Sequence, residues 1–288
     1  MNYISTKQNQ QSMIDLLKAQ RIAYSKCKSY QIFDTVSILI AIITPIIGFA
    51  KNSSLDVLTV IGVIWTILYL VFDTIRKSKL SVGAKIQEQF DTELFDMQWN
   101  NTLCREKISV DTITELSNEY QDNDLQNWYS QEITTDLDKN IAVMLCQRIN
   151  LSWENTLKYK FSKTLLISVI LYYAIFFVIV ISINYGIYDT MKILSPTIPF
   201  LVYGVQNFYN VKSQRDTKKN IIQDIDNELM NYSNTRSLPS DTILRNIQNV
   251  IFNERNSIEK TPDWFYKIYK QKFEDHTDEV IRNIKNSF

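Results

Sequence analysis

The sequence predicts an all-α membrane protein with four transmembrane helices and a helical cytoplasmic domain. The stretch Thr164–Tyr188 contains no charged residue, and a helix needs roughly 20 predominantly apolar residues to span a bilayer. Three other long apolar runs occur along the chain. Only five glycines and five prolines are present in 288 residues, which leaves little material for the many turns of a β fold.

The apolar runs form two hairpins, each joined by a short polar turn. Asp34 is the one charged residue inside the first run, and we expect it at the level of the lipid headgroups, where charges near helix ends are tolerated. The N-terminus lacks a short apolar core followed by a cleavage site, so we expect no signal peptide. The predicted spans are 32–50 and 57–72 in the hairpin 32–72, and 164–185 and 193–210 in the hairpin 164–210.

The distribution of basic residues predicts the orientation. Lys51 and Lys192 are the only basic residues in the two short turns, while the other ends of the spans are rich in lysine and arginine. Because basic residues near span ends stay on the cytoplasmic side, we expect both termini and the middle segment there. The three cysteines should then remain reduced. The basic residues on that side are Arg21, Lys26, Lys28, Arg76, Lys77, Lys79, Lys158, Lys160, Lys163, Lys212, Arg215, Lys218 and Lys219.

Three cytoplasmic segments, 1–31, 73–163 and 211–288, show apolar residues at helical spacing. None has enough apolar surface to fold alone, so we predict one domain assembled from all three. A last helix should begin at Thr261–Asp263, with Thr261 as N-cap and Pro262 in its first position. The apolar stripes are Met13, Leu16, Leu17, Ala19 and Ala23; Ile86, Phe90, Leu94 and Met97; Leu137, Ile141, Leu145 and Ile149; Ile221, Ile225 and Leu229; and Ile243, Ile247 and Ile251.

The sequence contains no recognisable catalytic or metal-binding constellation. His276 is the one histidine and lies among acidic residues, which favours a solvated surface position over a metal site. Glu88 and Asp91 lie one turn apart and could act as paired carboxylates, although a solvated or salt-bridged helix face is the more frequent arrangement. No phosphate-binding loop or nucleophile elbow occurs. We expect no enzyme activity, no metal and no cofactor.

Polar residues recur every three or four positions on two of the predicted spans. Polar groups at membrane depth usually face protein or water. They could line a pore formed by several protomers, or they could form ordinary interhelical hydrogen bonds. Both alternatives remain open. Prolines 45, 196 and 199 could act as gating hinges or as simple kinks. The candidate pore-lining residues are Ser195, Tyr203, Gln206 and Asn210 on the fourth span, and Thr59 and Thr66 on the second.

Gly83–Asn100 reads GAKIQEQFDTELFDMQWN and resembles the S-4TM family of proposed pore-forming effectors, whose members carry A-x-IQE-x-FD-x-x-(L/V)F-x-x-x-WN after a second membrane span. A second similarity lies near the C-terminus, and with the four spans the resemblance covers nearly the whole chain. The matching positions are Ala84, Ile86, Gln87, Glu88, Phe90, Asp91, Leu94, Phe95, Trp99 and Asn100, then Arg245, Gln248, Ile251, Arg255, Pro262, Asp263, Trp264, Phe265, Tyr266, Phe273 and Glu274.

The resemblance implies a role in bacterial anti-phage defence. Such effectors are encoded beside nucleotidyltransferases that make cyclic oligonucleotides, and they are thought to disrupt the inner membrane when the signal arrives. The implied partners are therefore a cyclic oligonucleotide, membrane lipids and further copies of the chain, with no nucleic acid polymer. An alternative from another class is a non-conducting, membrane-anchored sensor that recruits a partner protein.

A cyclic oligonucleotide needs cations for its phosphates and flat side chains for its bases. Two places supply both. One is the end of the fourth span, where Lys212 and Arg215 lie close in sequence to Tyr209; basic residues there could equally reflect the membrane orientation rule or attract anionic lipid. The other is the C-terminal pair of helices, although its aromatic residues could instead fill the cytoplasmic core. Its candidate ligand-binding residues are Arg245, Arg255, Trp264 and Tyr266.

Overall fold

A computed structural model describes residues 2–50, 55–122, 125–152, 155–257 and 278–287. Within these ranges the regular structure is helical and no strand occurs, so the predicted all-α class is confirmed. The helices are α1 (Ile4–Lys7), α2 (Gln11–Ser29), α3 (Ile32–Ala50), α4 (Leu55–Leu94), α5 (Asn101–Cys104), α6 (Val110–Asn118), α7 (Lys139–Ser152), α8 (Asn155–Ser182), α9 (Ile187–Leu194), a 3₁₀ turn (Ser195–Thr197), α10 (Ile198–Thr235) and α11 (Asp241–Ser257), and residues 278–285 are also helical.

The chain divides into two compact units. One, which we call the motif unit, consists of Met1–Lys26, Lys79–Leu157 and Ser213–Phe288. The other, the span unit, consists of Cys27–Ser78 and Lys158–Lys212. The domain boundaries predicted from the sequence, at residues 31, 72, 163 and 210, stay predictions.

The motif unit has a large apolar core. The whole α2 stripe from Met13 to Ala23 is buried, and Ile86 and Phe90 on α4 are fully inaccessible to solvent. The stripe residues Ile225 and Leu229 on α10 and Ile251 on α11 join the same cluster. Burial of one face explains the helical spacing of these residues, because an amphipathic helix is stabilised mainly by packing that face.

Side chains cap several helices of the motif unit. The Asn100 side chain accepts a hydrogen bond from the backbone N–H of Leu103 (3.1 Å) at the start of α5. Ser109 does the same for Thr112 at the start of α6 (3.3 Å). These residues satisfy backbone donors that a helix start leaves without intrahelical partners. They fix where the polar stretch between α4 and α7 becomes helical.

The span unit has apolar residues on its surface as well as in its interior. Aliphatic residues are exposed along α3, α4 and α8, including Ile46, Val60 and Ile175. Within the described residues, three stretches are long and apolar enough to cross a membrane: Gln11–Ala50, Asp56–Leu94 and Lys158–Ser182. They contain the first two predicted spans, 32–50 and 57–72, and most of the third, 164–185, whose helix α8 ends at Ser182. Such exposure would be unfavourable in water and is expected of helices that face lipid.

Charged groups of the span unit are buried as a paired cluster. Asp34 and Arg76 are both almost inaccessible, and Arg76 Nη1 lies 2.7 Å from Asp34 Oδ2. Arg76 Nη2 also contacts Asp73 at 2.5 Å, and the Tyr69 hydroxyl donates to Asp34 Oδ1 at 3.2 Å. The headgroup depth that we predicted for Asp34 stays a prediction, but its charge is balanced within the protein.

The fourth predicted span, 193–210, is not one continuous helix. It begins in α9, passes through the 3₁₀ turn Ser195–Thr197 and continues in α10. Pro196 and Pro199 lack backbone N–H donors and cannot extend the hydrogen-bond ladder of α9. A fourth crossing of the membrane therefore stays a prediction.

Candidate functional site

Two parts of the motif that lie far apart in sequence meet inside the motif unit. Glu88 and Asp91 follow one another by one turn on α4 and are fully buried. On α11, Arg245, Gln248 and Arg255 share one helix face, since residues three, seven and ten positions apart lie close together around a helix. The two faces are opposed, so the carboxylates meet the guanidinium groups.

Each carboxylate is paired with one arginine. Arg245 Nη2 lies 2.7 Å from Glu88 Oε1, and Arg255 Nη1 lies 2.6 Å from Asp91 Oδ2. Gln248 lies between the two pairs and donates from Nε2 to Glu88 Oε2 (2.8 Å) and to Asp91 Oδ2 (3.0 Å). With all four groups charged the cluster is neutral, which offsets much of the cost of burying the charges.

Tyr129 extends the network to the segment before α7. Its hydroxyl donates to Asp91 Oδ1 (2.7 Å) and accepts from Asn150 Nδ2 (2.7 Å). Burial, together with the charge of Asp91, raises the pKa of Tyr129 well above its ordinary value, so the hydroxyl keeps its proton and remains a donor. Asp91 therefore receives hydrogen bonds from Tyr129, Gln248 and Arg255.

The protonation states follow from burial and from these partners. Burial raises the pKa of Glu88 above its ordinary value, while Gln248 and Arg245 act in the opposite direction. Burial alone would lower the pKa of Arg255, but Asp91, Tyr129, Tyr24 and Glu88 together outweigh this effect and raise it. Arg255 consequently stays charged. One of its nitrogens, Nη2, is buried without a hydrogen-bond partner among the described residues.

Asn100, a further motif residue, and Arg245 together link the loop after α4 to α11. The Asn100 side chain donates to Asn249 Oδ1 (3.1 Å), which also accepts from Arg245 Nε (2.9 Å). Arg245 Nη1 donates to the Gln98 carbonyl (3.0 Å). The motif thus encodes a buried polar joint between α4, the following loop and α11. We call the set Glu88, Asp91, Tyr129, Arg245, Gln248 and Arg255 the buried joint.

The candidate ligand-binding residues occupy different environments. Arg245 and Arg255 are engaged by carboxylates in the buried joint. Lys212, the last residue of the span unit, is exposed, and so is Arg215 in the motif unit. The ligand-binding role assigned to these residues stays a prediction. Outside the described residues lie Trp264 and Tyr266, together with His276 and the helix start at Thr261–Asp263.

The candidate pore-lining residues of α10 differ in exposure. Tyr203 is buried within the span unit, whereas Gln206 and Asn210, one turn apart, are exposed. Ser195 is half-buried in the 3₁₀ turn and donates to the Lys192 carbonyl (3.1 Å). Gln206 and Asn210 are therefore the two that one chain leaves open to its surroundings.

The polar stripe on α4 contributes to packing within the span unit. Thr59 and Thr66 are half-buried, and Thr66 donates to the Gly62 carbonyl one turn earlier (2.8 Å). A Cβ atom at Gly62 would lie 2.7 Å from the backbone N and Cα of Pro196, so only glycine fits this close approach. A lining role for Thr59 and Thr66 stays a prediction.

Sequence reasoning recognised Glu88 and Asp91 but not their partners. Of the alternatives considered for this pair, the structure shows the salt-bridged one, buried instead of solvated. A usable signal was present in the spacing, because Arg245 and Gln248 repeat the three-residue interval of Glu88 and Asp91. Across the described ranges, no group of three or more histidine, cysteine, aspartate or glutamate side chains is placed to hold a metal ion.

The three apolar helices and the apolar surface of the span unit are compatible with a multi-pass membrane protein. Over residues 2–284 the sequence matches the family described as SMODS-associating 4TM effector domain, and the chain belongs to this family. A protein of Bacillus cereus (strain VD146), described as a probable CBASS effector molecule, is 32% identical over 305 residues, covering 98% of this chain and 98% of that protein. No solved structure matches the chain.

These comparisons confirm the resemblance that the motif indicated. Family membership and the similar Bacillus protein suggest a membrane effector of anti-phage defence. Five of the six residues of the buried joint are among those that carried the resemblance: Glu88, Asp91, Arg245, Gln248 and Arg255.

Proposed function

We propose that the protein is an inner-membrane effector of bacterial anti-phage defence. In this proposal the motif unit binds a cyclic oligonucleotide in the cytoplasm, and the span unit then permeabilises the membrane as part of a homo-oligomer. The protein catalyses no reaction. The observation that carries the proposal is the family match over residues 2–284 in a chain whose span unit exposes an apolar surface.

The proposed topology has four crossings, with both termini in the cytoplasm. The concentration of lysine and arginine at one side of the predicted spans supports this orientation. In this proposal the last crossing runs through the end of α9, the 3₁₀ turn Ser195–Thr197 and the first part of α10. Backbone groups that lack α-helical partners at membrane depth are tolerated where protein covers them; Pro196 and Thr197, in the 3₁₀ turn, are buried within the span unit.

An oligomer gives the exposed polar residues of α10 a favourable environment. Gln206 and Asn210 would face lipid in an isolated chain, and amides at membrane depth are unfavourable unless they contact protein or water. In a ring of protomers the same side chains would face a neighbour or a water-filled lumen. This reasoning favours Gln206 and Asn210 over Thr59 and Thr66 as the lining of a conducting state.

The buried joint supplies an element that a ligand could act on. Its two ion pairs tie α4 to α11, and a rearrangement that separated them would expose charges that are otherwise balanced. A ligand shifts such an equilibrium only through its different affinity for the two states. Going from mostly closed to mostly open needs a preference of roughly 5 kcal/mol, which several sites in an oligomer can supply together.

The test is release of a self-quenched dye from liposomes that contain the full-length protein in verified orientation. We expect release only when one member of a panel of cyclic di- and trinucleotides is added. The double variant Gln206→Leu/Asn210→Leu should abolish release while the protein still inserts. Gln223→Leu/Asn227→Leu is a matched control, because these exposed residues repeat the same residue types and spacing on α10 beyond the predicted span.

The possible outcomes separate the functions. Release that the first double variant abolishes and the control retains supports a lined pore. Release that persists in both variants contradicts this lining. Retention of dye by the wild-type protein with every nucleotide would instead favour the non-conducting sensor that recruits a partner.

A further inference from the structure

An open groove of about 460 Å³ lies on the motif unit, beside α4 and the short helix α5. Its lining residues are Lys85, Asn101, Arg105 and Glu106. Neither Lys85 nor Arg105 forms an ion pair with a carboxylate in the part of the chain that the structure describes. The groove therefore carries two basic side chains, Lys85 and Arg105, against one carboxylate, Glu106; the neighbouring Lys107 is paired with Glu93 at 3.6 Å.

The backbone of Arg105 adopts a conformation that is normally restricted to glycine. Its φ is 59° and its ψ is −152°, a region that non-glycine residues occupy only when their surroundings enforce it. Here the Arg105 N–H donates to the Asn101 carbonyl (3.1 Å), and the Arg105 carbonyl accepts from Trp99 Nε1 (2.8 Å). Glycine would fit this position without strain, so the presence of arginine points to a use for its side chain.

We propose that this groove binds the phosphate groups of a cyclic oligonucleotide, with Lys85 and Arg105 as the phosphate-binding residues. The inference rests on the proposed function and gives it a site. Ammonium and guanidinium groups form strong, charge-assisted hydrogen bonds with phosphate oxygens. The Asn101 amide offers both donor and acceptor atoms to a base, and Glu106 can accept from base amino groups or ribose hydroxyls. Since Glu106 repels phosphate, it orients the ligand in the groove.

The groove is positioned to affect the buried joint. Lys85 precedes Glu88 by one turn on α4, and Glu88 pairs with Arg245 of α11. Cys104, the residue before Arg105, packs with Ala84 of α4 and Phe252 of α11. A ligand bound by Lys85 of α4 and by Arg105, the residue that follows α5, therefore contacts both segments where they pack against α11. Such a ligand favours the arrangement of α4 and α5 in which the Lys85 and Arg105 side chains lie close together.

The decisive variant is Arg105→Gly, because it removes the guanidinium and the backbone strain together. We expect the thermal stability of the protein to be unchanged or higher, while its affinity for the nucleotide falls about 10- to 100-fold, as for the loss of a charged hydrogen bond. Lys85→Gln should weaken binding to a similar extent. Lys79→Gln is the matched control, since it removes an exposed lysine from the same helix outside the groove and should leave binding unchanged.

Binding is measured by titration calorimetry on the full-length protein in lipid nanodiscs, with cyclic di- and trinucleotides of adenosine and guanosine as probes. Dye release from liposomes is measured in parallel. Groove-dependent binding supports the inference even if no dye escapes, in which case the permeabilising function alone is overturned. Equal affinities for the wild type and both groove variants overturn the inference while leaving any nucleotide-triggered release intact. If the wild-type protein binds none of the probes, the inference is also overturned.

Discussion

Each of the two units of this protein buries an aspartate–arginine ion pair, but the exposed surface is polar in one unit and apolar in the other. In the motif unit, Asp91 and Arg255 pair at 2.6 Å; in the span unit, Asp34 and Arg76 pair at 2.7 Å, and all four residues are nearly inaccessible. The surface around the first pair is largely polar, whereas aliphatic side chains are exposed along the helices that carry the second.

The difference shows that buried charge alone does not identify the environment of a helix. A balanced ion pair is compatible with a water-facing or a lipid-facing exterior, because the charges compensate each other inside the protein. The exposed residues decide the matter. The motif unit gains stability by removing apolar surface from water. The span unit leaves an aliphatic surface exposed, which is compatible with a lipid environment; there, close packing and internal hydrogen bonds would hold its helices together.

The largest effect is expected from Asp91→Ala in the motif unit. The substitution leaves Arg255 charged and buried without its carboxylate, which should lower the free energy of unfolding by about 3–5 kcal/mol. Unfolding can be followed by alkylation of Cys104 and Cys146, which are buried in this unit. Burial raises the pKa of Cys104 to about 11, so its reaction near neutral pH reports opening.

Asp96→Asn serves as the control for this experiment. Asp96 is exposed in the turn after α4 and pairs with Lys139 at 3.0 Å. Asparagine is the replacement because Asp96 has a φ of 53°, where alanine would add backbone strain. Loss of the charge should change stability by no more than about 0.5 kcal/mol. Similar effects for Asp91→Ala and Asp96→Asn would show that the buried joint is not the source of stability in the motif unit.

An intermediate effect is expected from Gly62→Ala in the span unit. Alanine favours a helix over glycine by about 1 kcal/mol, yet here its Cβ would meet the backbone of Pro196 at 2.7 Å. Overpacking of this kind costs about 1–3 kcal/mol. Faster alkylation of Cys27, the buried thiol of this unit, would report the loss.

The comparison variant is Gly204→Ala, whose Cβ would meet a side-chain methyl of Val169 at 2.5 Å. Because the Val169 side chain can turn about χ1 more easily than a backbone can shift, the effect should be smaller than that of Gly62→Ala. A gain in stability from Gly62→Ala would contradict the close approach of α4 to the 3₁₀ turn.

The smallest effect is expected from Glu119→Gln on the surface of the motif unit. Glu119 pairs with Lys26 at 2.6 Å, and both side chains are about two-fifths exposed. Exposed pairs contribute about 0.2–1 kcal/mol, and salt screens them. Thermal unfolding in low and high salt should show a small loss that disappears at high salt; a loss that persists would indicate that the pair is effectively buried.

The sequence predicted the helical class and most of the core because both follow from local pattern. Leu17, Ile86 and Ile225 lie on periodic stripes, and all three are fully buried. The break in the fourth predicted span was harder to predict from the sequence. Pro196 and Pro199 indicated a disturbance, but whether a helix bends or ends depends on the partners that cover its unsatisfied backbone groups, which a single sequence does not show.

The candidate site was predicted only in part. Motif similarity drew attention to Glu88, Asp91, Arg245 and Arg255, but pairing across more than 150 residues is a tertiary property. Both arginines therefore looked available for a ligand. Arg105 was missed for a different reason. Its positive φ arises from hydrogen bonds to Asn101 and Trp99, and nothing in the residue type arginine predicts a backbone typical of glycine.

The buried joint also constrains how the family can evolve. A substitution of Asp91 alone leaves the charge of Arg255 buried and unpaired, and a substitution of Arg255 alone does the same to Asp91. Either single substitution therefore gives a less stable protein. Positions 91 and 255, and likewise 88 and 245, should therefore covary among relatives, changing together or not at all. Covariation at these positions would therefore report the contact between α4 and α11 from sequences alone.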